Sequence, residues 1–149
     1  MSSRLELSLD VTHQFRDACL CLHVQRAARA LARRFDDAFR PLGLTSGQFS
    51  LLMSLNRPEP PSIGEVAAVL ALDRTTLTAN LKPLVKRGLV KVAVDRADRR
   101  SRRLSLTPAG RDVLAAAVPA WKRTHAAMER RLARSDPESL RADLRALSS

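Results

Sequence analysis

Between Ser62 and Gly88 the chain sets two helix starts so close together that few folds can contain them. Ser62-Ile63-Gly64-Glu65 is a capping box, a hydroxyl three residues ahead of a carboxylate, and it opens a short apolar helix near position 63. Only Ala71-Leu72-Asp73 separates that helix from the next, for which Asp73 is the N-cap, Leu77, Leu81 and Leu84 mark the buried side, and Gly88 supplies the stop. A short helix, a tight turn and a second helix make a helix-turn-helix. Upstream, Thr45-Ser46-Gly47-Gln48 is a second capping box, opening a helix near position 46, and Pro58-Glu59-Pro60-Pro61 reads as a loop. Downstream, the alternating Val90-Lys91-Val92-Ala93-Val94 and Arg102-Arg103-Leu104-Ser105-Leu106 flank a polar stretch from Asp95 to Ser101, which predicts a hairpin with a long charged tip.

Longer helices flank this middle. Leu20, Val24, Ala27, Leu31, Phe35, Ala38 and Leu42 recur at spacings of four and three, so one amphipathic helix is expected from about Val11 to Phe39, ended by Pro41 and Gly43. Thr107 as N-cap with Pro108 at the first helical position opens another, striped by Leu114, Ala117, Trp121, His125, Met128 and Leu132, and Asp136-Pro137 repeats the start signal for a last short helix. The expected architecture is mainly α with a small β-hairpin wing. Residues 1–44 are expected to form an N-terminal dimerisation helix, 45–107 a winged helix-turn-helix domain, and 108–149 C-terminal dimerisation helices. Neither terminal stripe has enough neighbouring chain to cover it, so the stripes should pack on each other and on a second subunit, in a homodimer.

Charge says what such a fold would meet. The chain carries 26 Lys and Arg against 15 Asp and Glu, a net +11, and +7 of it falls in the 22 residues from Lys82 to Arg103. With Leu77, Leu81 and Leu84 inward, Thr75, Thr78, Ala79, Lys82 and Lys86 face outward, and Arg74 at the first turn joins them as a candidate DNA contact. Small and hydroxyl side chains beside cations suit a helix in a major groove, where Thr meets a base edge or a thymine methyl and Lys meets guanine or phosphate. Arg96, Arg99 and Arg100 near the hairpin tip suit a narrow minor groove, while Asp98 repels phosphate and is read as the intramolecular partner of an arginine. Pro83 is expected to kink the recognition helix near its C-terminal end. Aromatic residues are only 3% of the chain, which argues against stacking on single strands and leaves double-stranded DNA as the expected partner. The alternatives are a solvated basic face and a non-specific architectural DNA binder.

Asp95-Arg96-Ala97-Asp98-Arg99-Arg100-Ser101 running into Leu104-Ser105-Leu106-Thr107-Pro108-Ala109-Gly110 resembles the wing signature of the MarR family of winged helix-turn-helix regulators, D-x-x-D-x-R followed by L-T-x-x-G. Leu42-Gly43-Leu44-Thr45-Ser46-Gly47-Gln48-Phe49 and Leu84-Val85-Lys86-Arg87-Gly88-Leu89-Val90 are similar to its upstream landmarks, in order and in spacing. The resemblance covers about residues 15–135. It implies a homodimer with intertwined terminal helices, recognition helices in successive major grooves of a pseudo-palindromic operator, wings in the flanking minor grooves, and Asp98 and Arg100 as paired wing residues. It further implies a transcriptional repressor released by a small aromatic or anionic effector, held between the dimer helices and the DNA-binding domain, for which His23, Trp121 and His125 are candidate lining.

Cys21, by its spacing to Arg29 and Thr45, occupies the position at which the peroxide-sensing OhrR branch of that family carries its reactive thiol. The two tyrosines that support the thiolate there are Gln25 and Phe35 here, and the chain has no Tyr. A peroxide-sensing repressor and a small packed residue are the two readings of Cys21. Cys19 and His23 share a helix face, but on a continuous helix Cys21 points away from both, so no metal site is expected. No cofactor is expected either. The three histidines lie on the terminal helices without an evident carboxylate partner and the five glycines form no phosphate cradle, so the chain is not expected to be an enzyme. The first residues lack a charged-then-apolar leader pattern and no stretch has membrane-spanning character, so a cytoplasmic protein with no membrane partner is expected.

Overall fold

A computed structural model describes residues 7–149. Its elements run α1 (Leu9–Ala18), α2 (Leu20–Phe39), a 3-10 turn (Arg40–Leu42), α3 (Ser46–Ser54), α4 (Ile63–Leu70), α5 (Arg74–Lys86), β1 (Val90–Val94), β2 (Arg102–Leu106), α6 (Pro108–Glu129) and α7 (Pro137–Leu147). Every start read from a cap is present: the Thr45 box, Ser62 on the Glu65 amide, Asp73 on the Thr76 amide, Thr107 on the Gly110 amide, and Asp136 on the Ser139 amide. Each satisfies a backbone donor that the first helical turn leaves without a partner.

The N-terminal helix departs from expectation. It is not continuous: Cys19 adopts an extended backbone (φ −68°, ψ 114°) that ends α1 and starts α2. Its Sγ accepts weakly from the Leu22 amide at 3.5 Å. No glycine, proline or strong capping residue marks this position, and the apolar periodicity runs through it, which is why the break is invisible in sequence. Pro83 leaves α5 uninterrupted from Arg74 to Lys86, so the whole outward face lies on one element. Pro83 and Pro119 both sit on exposed faces of their helices, where the carbonyls they cannot satisfy meet solvent. α6 stops at Glu129, leaving Leu132 of the expected stripe in the turn that follows.

The strands pair antiparallel, Val90 with Leu106 through Val94 with Arg102. A third segment, the end of the proline-rich loop before α4, joins them. Ser62 bridges to Arg103, and the Leu104 amide donates to the Pro61 carbonyl at 2.9 Å. A proline on such an edge can accept but not donate, and accepting is all it does here.

The core gathers Phe39 from α2, Phe49, Leu51 and Leu52 from α3, Val66 from α4, Leu77, Leu81 and Leu84 from α5, Leu104 from β2, and Leu114 and Ala117 from α6. The end of α2 and the first half of α6 are therefore part of the same packing unit as the helix-turn-helix. Gly110 marks the tightest approach: a Cβ there would lie 2.1 Å from the Leu89 carbonyl oxygen. Beside it Thr107 donates through its amide to Leu89 O (3.1 Å) and through its hydroxyl to Gly88 O (2.6 Å). The L-T-x-x-G motif is thus the junction at which α6 docks just beyond the end of α5. α1 and α7 contribute no buried residue, and Leu9, Phe15, Leu20 and Leu147 are all more than half exposed. No helix among the described residues is long and apolar enough to cross a membrane.

Candidate nucleic-acid interface

α5 presents the outward face that the leucine spacing predicts. Leu77, Leu81 and Leu84 are buried, while Thr75, Thr78, Ala79, Lys82 and Lys86 are exposed. Asp73 anchors its start, accepting the Thr76 amide at 2.7 Å and the Thr76 hydroxyl at 2.9 Å. These bonds, the amide first, hold the Asp73 carboxyl below the usual carboxylate range. Thr78 turns its hydroxyl back to the Arg74 carbonyl at 2.8 Å, which leaves its methyl as the outward group. Thr75 keeps its hydroxyl free of any partner among the described residues. Arg74 does not simply point outward: its guanidinium lies over α4, where a methyl on Gly64 would come within 2.9 Å of Nη2. Asn80, absent from the sequence-based candidates because its helical phase is close to the leucine stripe, is exposed and lines a shallow groove with Thr45, Gly47 and Gln48 at the start of α3.

The hairpin tip is built by its two aspartates. Asp95 accepts the Ala97 amide (2.9 Å) and the Arg103 Nε (2.9 Å), which together lower its pKa, the amide being the larger cause. Asp98 accepts the Arg100 amide at 3.0 Å, and its own carbonyl receives the Ser101 amide at 2.9 Å. This corrects the expected pairing: Asp98 meets the backbone of Arg100, and the guanidinium bound to an aspartate is that of Arg103, on Asp95. An Asx-type bond from a short side chain closes the turn without needing a long one to be ordered.

The basic segment accordingly divides. Arg87 donates to the Gly43 carbonyl at 2.7 Å, Arg102 to the carbonyls of Arg99 and Ser101, and Arg103 to Asp95, so all three have internal partners. Lys82, Lys86, Lys91, Arg96, Arg99 and Arg100 are exposed and have no partner among the described residues. Sequence counting could not separate the two groups, since both are arginines a few residues apart.

The remaining candidates fall in different places. Trp121 stacks between Phe49 (6.4 Å) and His125 (5.2 Å), and His125 Nε2 lies 3.3 Å from Glu129. His125 also lines a largely apolar cavity of about 240 Å³ with Leu31, Phe35, Met128 and Leu140. His23 is not part of it: it sits beside Arg26, Arg29 and Arg33 in a separate groove on α2, its Nδ1 2.7 Å from the Cys19 carbonyl. Cys21 is exposed and Cys19 half-buried, and with Cys19 outside α2 the helical argument that held the two thiols apart no longer applies. Among the described residues no three His, Cys, Asp or Glu side chains converge as a metal site would require.

A MarR family model matches residues 42–101, the span from the 3-10 turn to the wing tip. The transcriptional regulator MosR of M. tuberculosis, solved in complex with DNA, is 38% identical with a TM-score of 0.80, over 87% of this chain and 93% of that one. The chain belongs to the MarR family. The transcriptional repressor CouR, solved on a 23-mer DNA duplex, is 28% identical with a TM-score of 0.79, over 97% of this chain and all of that one. The HTH-type transcriptional regulator TtmR of Methylorubrum extorquens is 38% identical over 95 residues, 64% of this chain and 49% of that protein. The match thus spans about half the length of this curated relative. These MarR-type relatives are regulators of transcription, and the winged helix-turn-helix that the caps and spacings predict is the fold they share.

Proposed function

We propose that this MarR-family chain is a sequence-specific, dimeric DNA-binding regulator, acting as a repressor that a small aromatic or anionic effector releases. One observation carries the reading: the six cations without internal partners share one stretch with the exposed Thr75 and Ala79 face of α5, so fixed positive charge flanks a surface of base-reading size. On this reading Thr75, Thr78 and Ala79 meet base edges, Lys82 and Lys86 meet guanine or phosphate, Arg96, Arg99 and Arg100 enter the minor groove, and Arg74 steadies the recognition helix. Residues 1–44 and 108–149 supply the dimer, and their exposed apolar residues are what a second copy would cover. Effector lining falls to His125, with Trp121 stacked behind it outside the cavity, and His23 joins only if a second subunit brings its groove alongside.

The test is the ratio of affinities for the protein's own upstream DNA and for random duplex at one salt concentration. Preference by orders of magnitude supports the proposal; a ratio near one replaces it with an architectural binder. Deleting the gene should raise the regulated transcripts, and aromatic carboxylic acids should release the operator; falling transcripts would make the protein an activator.

A second reading, a thiol-based peroxide-sensing repressor, is favoured by the break in the helix at Cys19, next to the exposed Cys21. Without the supporting tyrosines, Cys21→Ser is expected to keep operator binding, and peroxide to have a modest effect on the native protein. Substoichiometric organic peroxide that abolishes binding in the native protein but not in Cys21→Ser would put the thiol reading first.

A further inference from the structure

Among the wing's cations Arg102 folds back on the tip carbonyls, while Arg103 reaches out of the wing and lies at the meeting point of four segments. Its Nε donates to Asp95 at the root of the tip (2.9 Å), its Nη1 donates to the Pro60 carbonyl in the loop before α4 (3.2 Å), and the same Nη1 lies 3.7 Å from Glu65 on α4. Glu65 is held from its other oxygen by Arg57 at 3.2 Å. The result is a chain of alternating charge, Arg57, Glu65, Arg103 and Asp95, reaching from the loop across α4 to the wing. The backbone runs beside it, through the Ser62–Arg103 bridge and the Leu104 to Pro61 hydrogen bond.

We propose that Arg103 is a positioning residue for DNA binding: it clamps the wing to α4, and so sets where Arg96, Arg99 and Arg100 stand relative to the recognition helix, without itself touching DNA. The inference rests on the DNA-binding reading above. A two-stranded hairpin has little stability or fixed direction of its own. α4 packs against α5, so a wing tied to α4 keeps a constant angle to the helix that reads the major groove. The ion pairs are partly exposed, the Arg103 side chain at 40%, so they add little to global stability and act through geometry. Asp95, at 12% exposed, is the inner end of the clamp.

The test compares Arg103→Gln, Glu65→Gln and Arg99→Ala in the full chain, on the operator found by footprinting upstream of its own gene. Arg103→Gln should weaken operator binding by about tenfold and lower the slope of log affinity against log salt by up to about one, because the misplaced tip carries Arg99 away from phosphate. Arg99→Ala should lower that slope by about one. In the Arg103→Gln background, Arg99→Ala should cost much less than in the native protein, since the tip is already misplaced; a merely destabilised fold would give no such coupling. Glu65→Gln should act in the same direction and more weakly. Costs that add, with the slope of the double variant lowered by about two, would make Arg103 an independent phosphate contact and overturn the proposal. Hydrogen exchange without DNA supplies an independent arm: the amides of residues 95–101 and those of Arg57, Glu59 and Ser62 should exchange faster in Arg103→Gln with α5 unchanged, and unchanged exchange there overturns the clamp. If the native protein shows no operator preference, the DNA reading fails while the exchange arm still decides the clamp.

Discussion

Replacing Gly110 by alanine sets two effects of opposite sign against each other. Helix propensity favours alanine by up to about 1 kcal/mol, and Gly110 lies in the first turn of α6. Packing opposes it. The new Cβ would stand 2.1 Å from the Leu89 carbonyl oxygen and 3.0 Å from the Leu89 carbonyl carbon, both backbone atoms that no rotamer change can move. Relief requires α6 to back away from β1 by about 1 Å, an overpacking cost of about 1–3 kcal/mol. It also stretches the two bonds from Thr107 to Leu89 and Gly88, together worth about 1 kcal/mol when weakened. The net expectation is a loss of about 1–3 kcal/mol, which at a urea slope of about 2 kcal/mol/M lowers the midpoint by about 0.5–1.5 M. Gly47 is the control: a Cβ there meets only the Thr45 hydroxyl at 4.0 Å, so Gly47→Ala should be neutral or stabilising by up to about 1 kcal/mol. Both are read by urea unfolding at one protein concentration, since subunit association would otherwise shift the midpoint. A Gly110→Ala protein as stable as the native one would show that α6 does not dock on Leu89 this closely.

The proposed dimer predicts a sedimentation mass near twice 16.4 kDa at micromolar concentration, and because α1 buries nothing in its own chain, Phe15→Glu should give a folded monomer. Thr75→Ala should cost about 1 kcal/mol or more of discrimination between operator and scrambled duplex, and an unchanged ratio would mean that α5 is not the reading helix. Ala71 ends α4 in the left-handed region (φ 53°) with an exposed side chain, so Ala71→Gly should raise stability by up to about 1 kcal/mol in urea unfolding. Asp73, Asp95 and Asp136 have pKa values lowered in the fold, chiefly by amide or hydroxyl donors. Their stabilising contribution is therefore full above the ordinary carboxylate range, near pH 4, and is lost as pH falls through the lowered values. Urea midpoints should hold from neutral pH to about 5 and drop below about 4, and Asp73→Asn, which still caps α5, should blunt the drop.

Local sequence carried most of the architecture, because a capping side chain acts on an amide three residues away and needs no help from distant parts of the chain. Thr45, Ser62, Asp73, Thr107 and Asp136 each start a helix where the residues alone place one, and the leucines of α5 orient its outward face. Gly88 likewise ends α5 at the expected residue, with a left-handed φ of 72°. The interruption at Cys19 was not legible, since nothing in its neighbours distinguishes a residue inside a helix from one at which two helices meet. Nor was the fate of each arginine. Arg87, Arg102 and Arg103 count as surface charge in a sequence, and only the folded chain brings them to the Gly43 carbonyl, the tip carbonyls and Asp95. Charge composition is a sum over residues and is complete before folding, so it could announce a basic protein. Which cations remain available depends on carbonyls and carboxylates up to 44 residues away, and those partners exist only once α2, α4 and the wing have packed.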